Sequence, residues 1–196
     1  MSRSQQVRIL VVDDEQAILN LYQEIFSVMS PASQGFGKKH SDRILPDIQQ
    51  HPIISTQIFS LALYQRGEDA LQAVQEGLVK NTPFAVAFID AHLLPGGGEL
   101  EGEGIALAAK IREFDPRIEL VLMTGYTNVN PQDIIVKVPP LHKILYLEKP
   151  ICSKEIYQFA ASLGAKWQTE RELERAHENL EHWLHERTVE LIQANQ

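Results

Sequence analysis

A single cysteine, Cys152, stands among 196 residues, so no internal disulfide can staple the chain. Stability must then come from a packed core, for which a 44% hydrophobic content suffices. Cysteine scarcity of this kind fits a reducing cytoplasm. Long apolar runs are missing too: none approaches a membrane span or the apolar region of a signal peptide, which removes the membrane from the candidate partners. Basic residues are in deficit. Eighteen Lys and Arg against 26 Asp and Glu leave a formal charge of −8, the wrong sign for gripping nucleic acid or an anionic lipid surface. Glycine and proline are few and unevenly spread. Five of the eleven glycines fall between residues 96 and 104, and three of the ten prolines between 31 and 52, so breaks in regular structure concentrate in two places.

Between those breaks, short apolar runs alternate with helical periodicity. Residues 7–12 form a β-branched run that empties into Asp13-Asp14, and Ala17, Ile18, Leu21, Tyr22, Ile25 and Phe26 then recur at helical spacing over 16–29. The segment 30–56 is too punctuated for one regular element and too long for an ordinary connection, so it is expected to be an insertion. Further strands are predicted at 57–63, 84–89, 118–123 and 144–147, and helices at 67–79, 105–114, 134–138 and from Ser153 onward. Five strands alternating with five helices imply a doubly wound α/β fold with a parallel sheet, because each right-handed crossover returns to the same sheet.

The chemistry lies at the strand ends. Asp13 and Asp14 follow the first strand, Asp90 the third, Thr124 the fourth and Lys149 the fifth. In doubly wound sheets ligands bind beyond the carboxyl ends of the strands, so these five groups converge. Three crowded carboxylates repel one another unless a hard cation sits among them, and oxygen-only ligands favour Mg²⁺. With that charge screened, the Asp90 carboxylate can attack phosphorus while Lys149 and the Thr124 hydroxyl meet the equatorial oxygens. Any one aspartate at a βα turn could simply cap a helix. Capping does not explain the joint pattern.

These residues resemble the receiver domains of two-component response regulators. The likeness is carried by Leu10-Val11-Val12-Asp13-Asp14-Glu15, Gly67-Glu68-Asp69-Ala70-Leu71, Asp90 with Pro95, Thr124-Gly125 and Lys149-Pro150. It implies the flavodoxin-like strand order 2-1-3-4-5, with Asp90 as phosphoacceptor and a histidine kinase or phosphotransfer protein as donor. It further implies Mg²⁺ held directly by Asp14, Asp90 and the His92 backbone carbonyl, with Asp13 acting mainly through water. Tyr146 matches the aromatic position that follows Thr124 when the domain switches. The resemblance spans about 7–165, taken with the start of the chain as a receiver domain of residues 1–165. It departs from the pattern at the 30–56 insertion and at the Gly/Glu-rich loop 96–104, which is expected to be a solvated, mobile loop.

From residue 166 to 196 the composition turns charged and helix-favouring, without Gly or Pro, so one long helix is expected. Leu173, Leu180, Leu184 and Leu191 are spaced by seven, four and seven, as in a coiled-coil seam, with His177 and Arg187 at the intervening seam positions. Residues 166–196 are thus expected to be a helical linker that makes the protein a homodimer. The stretch Glu186–Leu191 resembles linkers that precede histidine-kinase transmitters or cyclic-dinucleotide enzyme domains. The output domain is expected beyond residue 196 of a longer signalling protein, the receiver itself being no enzyme apart from catalysing its own phosphorylation. His177 or His185 as a kinase phosphoacceptor lacks any accompanying glycine-rich ATP lobe, and His182 with His185 as a metal pair lacks supporting ligands. Two other classes compete: a pseudo-receiver that only binds partners, and a hydrolase forming a transient phosphoaspartate at Asp90. The intact five-residue set argues against the first, and the second would need a further general acid-base carboxylate and a substrate cap.

Overall fold

The computed structural model of the protein describes residues 6–28, 58–93, 103–125 and 136–194. Five strands, β1 (Val7–Val12), β2 (Phe59–Tyr64), β3 (Val86–Asp90), β4 (Glu119–Thr124) and β5 (Ile144–Glu148), form one sheet in the order β2-β1-β3-β4-β5. Every pairing is parallel, with Val12 level with Tyr64 and with Ile89, and Thr124 level with Glu148. The described helices are α1 (Gln16–Val28), α2 (Gly67–Val79), α3 (Glu103–Phe114) and α4 (Ser153–Ala194), with a short 3-10 turn at Leu141–Lys143.

Side-chain alternation explains the layering. β1, β3 and β4 are buried almost throughout, whereas β2 and β5, packed on both faces but each with a neighbouring strand on one edge only, are half-buried. One face of the sheet packs Leu10, Val12, Ala87, Ile89, Leu120 and Leu122 against α2 and α3. The other packs Ile9, Val11, Phe88, Val121 and Met123 against α1 and the first part of α4. Because side chains alternate along each strand, every strand end delivers its next residue to the rim above both layers.

Boundaries differ from the sequence reading in instructive ways. The second strand runs to Tyr64 rather than Leu63, because the Tyr64 carbonyl accepts the Asp13 amide at 3.1 Å and so continues the ladder to the site. The third helix starts at Glu103, two residues early, and takes in Gly104. The insertion 30–56 and the core of the Gly/Glu-rich loop lie outside the described residues, as do the first two residues of the helix expected at 134–138, of which Val136 and Lys137 are helical and Val138 is not.

The last helix is continuous over 42 residues. Its first part is bound to the domain well past residue 165. Trp167 is buried in the α1/α4 layer. The fully buried Glu119, at the start of β4, receives hydrogen bonds from Lys143 at 3.1 Å and Lys166 at 3.0 Å, and Lys143 also pairs with Glu170. Arg117 and Glu174 form a further ion pair at 3.3 Å. No described helix is long and apolar enough to cross a membrane.

Candidate phosphoacceptor site

Asp13 leaves β1 fully buried. Its Oδ1 accepts the Glu15 amide at 3.0 Å, which fixes the carboxylate in the turn, and its Oδ2 accepts from Lys149 Nζ at 3.0 Å. Asp90 closes β3 with the same local device: Oδ1 accepts the His92 amide at 3.1 Å and Oδ2 accepts from Lys149 Nζ at 2.8 Å. Lys149 is set by the end of β5, where its own amide donates to the Thr124 carbonyl at 2.7 Å. One ammonium thus bridges two carboxylates that arrive from neighbouring strands.

Asp14 is half-buried beside them, and its backbone carbonyl accepts from Gln65 at 3.3 Å. One carboxylate oxygen from each of Asp13, Asp14 and Asp90 falls in a group whose members all lie within 4.8 Å of one another. The donor set is all oxygen, anionic and open on the Asp14 side, which suits a hard divalent cation and not a thiophilic one. Thr124 is buried at the tip of β4, its Oγ1 3.4 Å from His92 Nδ1. Tyr146 is level with Leu122 and therefore on the same sheet face as Thr124, half-buried against the α2/α3 layer. The structure therefore brings together Asp13, Asp14, Asp90 and Lys149, with Thr124, His92 and Tyr146 along one side.

Charge and burial oppose each other here. Burial raises the Asp13 carboxyl above the ordinary aspartate range, although the Lys149 and Glu15 hydrogen bonds pull it back. For Lys149, burial alone would lower the pKa, but the hydrogen bonds to Asp90 and Asp13 outweigh it and hold the ammonium above the ordinary lysine value. Lys149 is charged at neutral pH and available to anionic oxygens.

Two residues of the site escaped the sequence reading. Gly104 lies in the first turn of α3, so close under β3 that a Cβ there would stand 1.8 Å from the Asp90 carbonyl oxygen and 2.8 Å from Ala91 Cα. Only glycine fits, and the only sequence signal was a glycine at a helix start, masked by four others in the preceding loop. Tyr22 of α1 donates its buried hydroxyl to Met123 Sδ at 3.0 Å, both residues belonging to the apolar layer between α1 and the sheet. Burial, then the neighbouring Asp13 and Asp90 charges, raise its pKa, so the phenol stays protonated.

The order of the sheet, the acidic cluster above its carboxyl edge and the lysine from the last strand define the fold of response-regulator receiver domains. Solved structures agree. A receiver domain protein from Methanospirillum hungatei superposes with a TM-score of 0.56 at 17% identity, covering 85% of this chain and 99% of that one. NtrX from Brucella abortus gives 0.55 at 21% identity, covering 87% of this chain but 30% of its own. A structure described as adenylate cyclase from Rhodopirellula baltica gives 0.57 at 19% identity, covering 89% and 98%. No protein-family profile matches the sequence, and no curated protein matches it either. At these identities the likeness establishes the fold.

Proposed function

We propose that this chain is a phosphorylatable receiver: Asp90 accepts a phosphoryl group from the phosphohistidine of a histidine kinase or phosphotransfer protein. The observation that carries this reading is the Lys149 ammonium held between Asp90 and Asp13 at 2.8 and 3.0 Å, beside the open Asp14 carboxylate. In the transfer an Asp90 carboxylate oxygen attacks phosphorus in line with the leaving imidazole. The oxygen–phosphorus bond forms as the nitrogen–phosphorus bond breaks, and the imidazole departs with its electron pair and takes up a proton. Mg²⁺, held directly by Asp14, Asp90 and the His92 carbonyl and mainly through water by Asp13, would supply the positive charge that lets two anions meet. Lys149 exchanges a carboxylate partner for a phosphoryl oxygen, and the Thr124 hydroxyl donates to another. Thr124 moves inward as it does so, and Tyr146, on the same face, follows.

The signal then passes along α4 to an output domain beyond residue 196. NtrX, of whose chain 30% is covered, shows this fold as one part of a longer protein, and the adenylate cyclase relative is named for an enzymatic activity. The receiver itself performs no chemistry other than its own phosphorylation, in the cytoplasm, without contact to nucleic acid or membrane.

The test is incubation with acetyl phosphate and Mg²⁺, followed by intact-mass analysis and peptide mapping. One phosphoryl group should add to the wild type, none to Asp90→Asn, and none to the wild type in EDTA. Equal labelling of Asp90→Asn would overturn the acceptor assignment, and an unlabelled wild type that also ignores beryllofluoride would make the chain a pure interaction module.

A further inference from the structure

The outer half of α4 has no part in the phosphoryl chemistry. Residues 172–190 are exposed throughout, and among the described residues Arg117–Glu174 is the outermost ion pair between helix and domain. Leu173, Leu180, Trp183 and Leu184 are 70, 53, 53 and 50% exposed. The four leucines fall on one heptad register, Leu184 and Leu191 at a and Leu173 and Leu180 at d, with His177 at the remaining a position and Arg187 and Ala194 at the remaining d positions. A two-position stripe is too narrow for docking on a globular surface and matches the seam of a second helix with the same repeat. Trp183 flanks this seam at g, while Val189 sits outside it at f.

We propose that residues 173–194 pair with those of a second copy of this chain as a parallel, in-register coiled coil. The polar interruptions select a copy. Any partner with an unbroken apolar groove would bury His177 and Arg187 against hydrocarbon, whereas an identical helix places leucine on leucine in four layers and confines the polar residues to layers of their own. Each polar seam residue also brings a carboxylate from a flanking position of its own helix: Glu181 lies 3.1 Å from His177, and Glu190 lies 2.8 Å from Arg187, whose guanidinium reaches toward the Trp183 ring at 5.8 Å.

The flanks select the direction. The e and g positions hold Glu174, Ala176, Glu181, Trp183, Thr188 and Glu190. In a parallel pair each g residue faces the e residue five positions on, giving Ala176 with Glu181 and Trp183 with Thr188, so no carboxylate meets another. The antiparallel alignment that also stacks the four leucines sets Glu181 opposite its own copy, a like-charge contact. The remaining glutamates, Glu172, Glu178 and Glu186, lie at b and c, on the outside.

The experiment uses the full chain. Light scattering across a concentration series should give the mass of two chains, and Leu180→Asp with Leu184→Asp should weaken the dimer at least about a hundredfold. Both positions are exposed, and circular dichroism should confirm that the receiver remains folded. In a Cys152→Ser background, His177→Cys should cross-link readily under mild oxidation, whereas His182→Cys, on the outer face, should not. A wild type that is monomeric at every concentration overturns the proposal, as does a leucine double variant that stays dimeric. Cross-linking at 182 in preference to 177 overturns the register. None of these readouts depends on Asp90, so their failure leaves the phosphoacceptor reading standing.

Discussion

Lys149 is the residue on which the site's charge balance turns. Its ammonium is bonded to both Asp13 and Asp90. Lys149→Ala should therefore retain Mg²⁺ binding by calorimetry, because the oxygen ligands remain, while losing most of the conformational response to beryllofluoride. Complete loss of Mg²⁺ affinity would show that Lys149 organises the acidic cluster and does not merely meet the phosphate. Gly104 makes a sharper structural demand. Gly104→Ala drives a methyl group into the Asp90 carbonyl, and backbone cannot yield as a side chain tip does. A loss of about 3 kcal/mol is expected, a fall in melting temperature on the order of 10 °C, together with weakened phosphorylation. An unchanged melting temperature would mean that α3 can slide away from β3 freely.

At the scale of elements, the joint between α4 and the sheet governs stability. Ending the chain at residue 165 removes Trp167 from the core and Lys166 and Glu170 from the Glu119 cluster, while ending it at 176 keeps all three. The shorter chain should lose about 3–5 kcal/mol by thermal denaturation, and the longer one almost nothing. The cluster also has a pH signature. Burial alone would lower the Lys143 pKa, but its hydrogen bonds to Glu170 and Glu119 hold it above the ordinary lysine range. A cation stabilised by folding contributes fully below the unfolded value of about 10.4 and loses that contribution as pH rises through the higher folded value. Thermal stability should be insensitive to this cluster from about pH 7 to 10 and fall above that range, more steeply than in Lys143→Met.

The strands were legible because β1, β3 and β4 are buried on both faces and leave unbroken apolar runs such as Ile9–Val12, each stopped by a polar residue. Asp13, Asp90, Thr124 and Lys149 could be placed for the same reason, since a strand end needs no tertiary knowledge. What could not be read was anything set by contact between distant segments. Gly104 earns its place from the Asp90 backbone, Tyr22 from Met123, and Glu119 from two lysines 24 and 47 residues away. A buried glutamate at the start of a strand looks like any solvated one until its partners are known.

In the whole molecule, the edge that carries the acidic cluster and the Glu119 joint lie at opposite ends of β4, with Thr124 at one end and Glu119 at the other. The helix that leaves the joint is unbroken from Ser153 to Ala194, and this gives residue number an angular meaning. Each residue inserted after Glu174 would turn everything beyond it by about 100° and carry it about 1.5 Å further out. One added alanine would point the leucine stripe sideways relative to the domain, while seven would return it to within about 20° of its original heading. The heading of residue 194 is thus set by a count, and two chains with identical domains but helices differing by two residues would turn the same face of the helix end to nearly opposite sides.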